Sequence, residues 1–76
     1  MKETWGTNMI KYVLYIWNSD HKKYCYADQV EYQAKIIEGE KIRWNMMKLV
    51  VVKVEHDLDA NVIDLYLEED TAWYYC

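Results

Sequence analysis

Asp57, Asp59, Asn61 and Glu68 fall at the first, third, fifth and twelfth positions of a possible calcium-binding loop, the one spacing in this chain that points toward a metal. The sixth position, where such a loop needs glycine for its sharp turn, is Val62, and Ile63, Leu65 and Leu67 then alternate as a strand does. The segment reads as a polar hairpin turn, and no metal is expected.

Ser19, Asp20 and His21 carry the residue types of a hydrolytic triad. A triad draws its members from separate elements beside an oxyanion hole, which three consecutive residues cannot supply. His56 beside Asp57 fails for a related reason: neighbours on a strand face opposite ways, and two ligands share a side only at HxH or helical HxxxH spacing. No nucleophile elbow or phosphate-binding loop is present, so no catalytic residue or cofactor is assigned and the chain is read as non-catalytic.

Two aromatic sets remain. Trp17, Tyr24, Tyr26, Arg43 and Trp44, with Lys22 and Lys23 nearby, could stack on a planar ligand and neutralise a phosphate. A net charge of −4 opposes approach to a phosphate backbone. Direct nucleic-acid binding is therefore disfavoured, and a small-ligand or nucleotide pocket built from those five residues is the alternative reading.

The second set lies toward the C-terminus. Glu55, Asp57, Asp59, Asp64, Glu68, Glu69 and Asp70 form an acidic stretch without a cation, and Trp73, Tyr74 and Tyr75 follow it; the first 54 residues carry nine cations against six anions. Acids of this kind steer an encounter with a basic surface, and aromatic anchors hold it. The preferred expectation is a protein-interaction module: a small phage-type inhibitor or regulator that docks on a basic, nucleic-acid-handling protein through the acidic edge and tail aromatics.

Composition supports that class. A chain of 76 residues makes one small domain that buries only roughly 60 % of its unfolded surface. Yet 53 % of its residues are apolar types, with four Trp and eight Tyr, more than such a core needs. The surplus points to a partner or to a homo-oligomer. Residues with AT-rich codons (Tyr, Met, Ile, Asn, Lys) number 30 against 7 for Gly, Ala and Arg, which suggests an AT-rich gene of a low-GC bacterium or its phages. Cys25 and Cys76 form no CxxC pair, and neither a membrane-length apolar run nor a leader is present, so a soluble cytoplasmic setting is expected.

The elements that must position these residues follow from periodicity. Residues 9–17 are apolar on both parities, the mark of a central strand. Residues 22–27 return as its hairpin partner, with a bend or bulge near Asp28. From 30 to 46 the alternation is strict around Gly39 and predicts a hairpin pairing Ala34 with Ile42, Tyr32 with Trp44 and Val30 with Met46. Strands at 48–56 and 62–67 flank the turn at 57–61. Residues 1–8 form a loose lead-in and 68–76 an acidic-aromatic tail. The fold expected is all-β, a small antiparallel meander or barrel of five to six strands in one domain, 1–76. The alternative is α+β, with a helix at about 29–38 capped by Asp28 and Glu31 and stopped by Gly39.

Overall fold

The computed structural model describes residues 9–70. Five strands, β1 (Ile10–Asn18), β2 (Lys23–Tyr32), β3 (Lys41–Trp44), β4 (Met47–Asp57) and β5 (Val62–Glu69), form one sheet in the order β2-β1-β5-β4-β3. The sheet curls into half a barrel. No described residue is helical, and no helix is long and apolar enough to cross a membrane.

The all-β expectation holds, with two differences in pairing. β1 runs parallel to β5, from Tyr12 opposite Ile63 to Ile16 opposite Leu67, so the sheet is mixed rather than antiparallel throughout. The hairpin across Gly39 does not form, and neither does the helix at 29–38: β2 ends at Tyr32, and β3 pairs with β4, Ile42 facing Leu49 and Trp44 facing Met47. The reversal lies instead at Asn45 and Met46, both with positive φ (50° and 63°), as a type I′ turn requires. Met46, predicted to lie in a strand, is 93 % exposed at that turn. Gly39 does adopt the left-handed φ expected of it (94°), but in a turn closed by the Glu40 N–H donating to the Ile37 carbonyl at 3.2 Å.

The inner face of the sheet carries the core. Tyr12, Leu14, Leu49, Val51, Leu65 and Leu67 are essentially solvent-free, and Ile36 from the 33–40 loop packs against them. That loop has no sheet partner over residues 33–36, and the Tyr12 hydroxyl supplies one: it accepts from the Ile36 N–H at 3.0 Å and donates to the Ala34 carbonyl at 3.2 Å. Beyond it, the Gly39 N–H donates to the Val51 carbonyl at 2.8 Å and the Val51 N–H to that of Glu40 at 2.9 Å, which extends the β3–β4 pairing.

β1 is an interior strand between β2 and β5, consistent with its two-sided apolar pattern, with Val13 and Leu14 buried on opposite faces. The turns after β1 and β4 share one design. Asn18 accepts the Asp20 and His21 N–H groups on its Oδ1, Asp57 accepts that of Ala60, and each turn ends in a left-handed residue, Lys22 or Asn61. The polar turn read at 57–61 is thus a hairpin turn.

Two register shifts complete the architecture. One, at Leu14/Tyr15 of the β1–β2 pair, leaves Ala27 as an extra residue, so the bulge expected near Asp28 is present. The other, at Val51/Lys53 of the β4–β5 pair, leaves Val52 extra.

Candidate functional site: an acidic aromatic sheet face

Both register shifts border the same transverse row on the outer face. Past the first, Tyr15 stands opposite Tyr26; past the second, Lys53 stands opposite Tyr66; the parallel ladder sets Tyr15 beside Tyr66. The row therefore reads Tyr26, Tyr15, Tyr66, Lys53 across β2, β1, β5 and β4. Its contacts are physical: Tyr15 meets Tyr26 edge-on at 6.3 Å and stacks on Tyr66 at 5.3 Å, and the Lys53 ammonium lies 5.4 Å from the Tyr66 ring centre. Tyr24 and Trp17 form the next row, at 5.1 Å from each other, and Tyr24 also meets Tyr66 edge-on at 5.2 Å. Bulges re-aim side chains and gather at functional surfaces. Here two of them align five aromatic side chains on one face.

Carboxylates fix this cluster. The Tyr24 hydroxyl donates to Glu68 at 2.8 Å and the Tyr66 hydroxyl to Glu55 at 3.1 Å. Burial, helped by the hydrogen bond to Glu68, raises the Tyr24 phenol above its ordinary pKa. Burial, the Glu55 hydrogen bond and nearby negative charge do the same for Tyr66. Burial and the charges of Asp64 and Asp57 raise Tyr15. The rings stay neutral hydrogen-bond donors at physiological pH.

Asp64 stands directly opposite Glu55 in the β4–β5 ladder. Its carboxyl is raised above the usual carboxylate range by burial first, then by Asp57 and Glu55. Like charges set opposite each other weaken a sheet. With His56 and Asp59 at the adjoining turn, these acids line a shallow cleft of about 390 Å³. Among the described residues, no group of three or more His, Cys, Asp or Glu side chains has the arrangement to hold a metal ion.

The structure divides the residues singled out from sequence. Glu55, Asp57, Asp64 and Glu68 gather on or beside the outer aromatic face, and Asp59 sits in the turn at its end. Asp70 is only 9 % exposed and is ion-paired with Lys41 at 3.1 Å, so it is not part of that surface. Glu69 lies opposite Leu49 at the end of β5. Trp73, Tyr74 and Tyr75 lie outside the described residues. The five-residue ligand pocket does not assemble. Trp17, Tyr24 and Tyr26 belong to the outer face, whereas Arg43 and Trp44 line a separate cleft of about 460 Å³ with Leu14, Val30 and Ile42, and the Trp44 indole N–H points to Asp28 at 3.4 Å.

Tyr15, Tyr66 and Lys53 escaped the sequence reading. The signal was the parity of β5, where Tyr66 alternates with core leucines between Asp64 and Glu68. Comparison with protein-family models, curated proteins and solved structures gives no match.

Proposed function

We propose that this chain is a non-catalytic protein-interaction module whose outer face docks on a basic surface of another protein. The observation that carries this reading is the coincidence of exposed aromatic area with carboxylates on one rigid face: Trp17 and Tyr26 are 40 % and 64 % exposed beside Glu55, Asp64 and Glu68. Aromatic side chains on a sheet are preorganised anchors that lose little entropy on binding, and the acids around them select cationic partners. Basic surfaces of that kind belong to proteins that handle nucleic acid, and the role fitting this size and charge is that of an inhibitor or regulator occupying such a surface. Among the described residues the aromatic companions of these acids are Tyr15, Trp17, Tyr24, Tyr26 and Tyr66.

The test is a residue-resolved NMR titration of the 15N-labelled protein with an arginine-rich peptide, an acidic peptide and oligo(dT), at low and physiological salt. The reading expects the arginine-rich peptide alone to shift amides at 13–17, 24–26, 53–55 and 64–68, with affinity falling as salt rises. Shifts produced by oligo(dT) on this face, or none from the basic peptide, would reject it.

A second reading rests on the other cleft. Lys35, Lys41 and Arg43 line it with Glu31, Glu40, the Trp44 ring and apolar side chains, Lys41 being ion-paired with Asp70, a composition suited to a small ligand with a flat or apolar body. A nucleotide panel that shifts the Trp44 indole resonance while leaving Tyr66 untouched would favour it.

A further inference from the structure

Lys53 reaches the aromatic row by virtue of an irregularity. Val51 faces inward opposite Leu67, and Lys53 pairs with Tyr66 only because Val52 is inserted as an extra residue. In a regular ladder Val52 would itself stand opposite Tyr66, and strict alternation would turn Lys53 inward with Val51. The bulge thus does two things at once: it carries Val54 back to the core opposite Leu65 and sets an ammonium over the Tyr66 ring.

We propose that Lys53 is an internal stand-in for the partner's cation, and that a partner arginine displaces it on docking. This inference rests on the docking reading above and names the group recognised. The Tyr66 ring has Glu55 on its hydroxyl, and Glu68 is held nearby by Tyr24, whose ring packs on Tyr66. Each of those two carboxylates engages a tyrosine hydroxyl through one oxygen, Oε1 of Glu55 and Oε2 of Glu68. A cation arriving over the ring therefore finds a π-face and, on the hydroxyl of the same ring, the Glu55 carboxylate. A lysine ammonium is a compact, strongly hydrated charge; a guanidinium is planar, less hydrated, stacks on the ring and bonds a carboxylate in bidentate fashion. Arginine thus satisfies the ring and the Glu55 carboxylate together, where Lys53 satisfies the ring. Lys53 sits on an exposed strand position and moves aside at small cost, since exposed cation–π contacts are weak. The resident lysine lowers affinity for lysine-bearing surfaces more than for arginine-bearing ones and so sharpens selection.

Three variants separate competition at the ring from a general change of charge. Lys53→Met removes the competitor; Lys53→Arg keeps the charge and strengthens the competitor; Lys11→Met removes one charge from an exposed position at the start of β1. Binding of an arginine-rich peptide is measured for each by isothermal titration at physiological salt, with an NMR spectrum of each variant to establish that the fold is unchanged. Lys53→Met is expected to tighten binding by about 2- to 5-fold and Lys53→Arg to weaken it by a similar factor, the range set by an exposed cation–π contact. Lys11→Met should change it by less than about 1.5-fold, because screening over a Debye length mutes a distant charge. Equal tightening by Lys53→Met and Lys11→Met, or no weakening by Lys53→Arg, would overturn the stand-in role while leaving the docking face intact. A wild-type protein whose outer-face amides ignore the peptide would overturn the docking reading itself.

Discussion

Tyr15 and Tyr66 stack with ring centres 5.3 Å apart and planes 16° apart, across the one parallel strand pair in the sheet. The contact ties β1 to β5 on the side away from the core, and the same two rings form the middle of the acidic aromatic face. Stability and the proposed docking are therefore linked at one point.

Replacing Tyr15 with alanine removes the stack on Tyr66 and the edge contact with Tyr26, and should cost about 1–3 kcal/mol in a urea unfolding experiment. Tyr26→Ala, at the exposed end of the row, should cost less than about 1 kcal/mol while still weakening binding of an arginine-rich peptide. Comparing the two by denaturation and titration separates the ring's structural contribution from its binding one.

Asp64 sets a pH dependence. Its carboxyl titrates above the ordinary 3.8 because of burial, Asp57 and Glu55. A carboxyl that holds its proton more tightly when folded favours the folded state below the unfolded value, and that contribution is lost as pH rises through the folded value. Asp64→Asn should therefore raise the midpoint of thermal unfolding at pH 7. The advantage should shrink as pH falls through the raised folded value and vanish below about 3.8, where the wild-type carboxyl is protonated in both states. Equal gains at pH 7 and pH 3 would show that the Glu55–Asp64 opposition is not the cause.

The Tyr12 hydroxyl is the sheet's substitute for a missing strand. Tyr12→Phe leaves the Ile36 N–H and the Ala34 carbonyl without this partner at the core's edge, and should destabilise the protein by about 1–3 kcal/mol. Hydrogen exchange distinguishes this from general loosening: protection at Ile36 should fall by more than at Leu14 or Leu65.

Met46 occupies the second central position of a type I′ turn, where glycine is favoured, and its side chain is almost wholly in solvent. Met46→Gly relieves a left-handed conformation that costs about 1–2 kcal/mol in a non-glycine residue, offset in part by the greater freedom of glycine in the unfolded chain. The net expectation is a gain of about 0.5–1 kcal/mol, read as a higher unfolding midpoint.

Much of the fold was legible because local patterns report burial. The two-sided apolar run of β1 announced an interior strand, the polar cluster after Asp57 announced a turn, and the parity conflict at Asp28 announced a bulge. Pairing was a different matter. Val30, Ile36, Ile42 and Trp44 pack against the core, whereas Tyr32 and Ala34 on the same parity are exposed, and alternation does not encode which strand lies alongside. Gly39 resembled a hairpin signal, while the true reversal at Asn45 and Met46 contains no glycine. The candidate site was legible only in part for the same reason. Its acids were conspicuous by charge, but Tyr15, Tyr66 and Lys53 converge only through a parallel pairing between distant segments and two inserted residues.

That parallel pairing has a consequence for when the protein becomes competent. The β1–β2 hairpin and the β3–β4–β5 run each join neighbours in sequence, whereas the β1–β5 ladder joins opposite ends of the chain, the kind of contact whose loop closure slows folding. Trp17, Tyr15, Tyr24 and Tyr26 come from the first half, and Lys53, Glu55, Tyr66 and Glu68 from the second. Neither half carries the face alone. The face is therefore complete only once the β1–β5 ladder has closed, and the proposed docking depends on that closure.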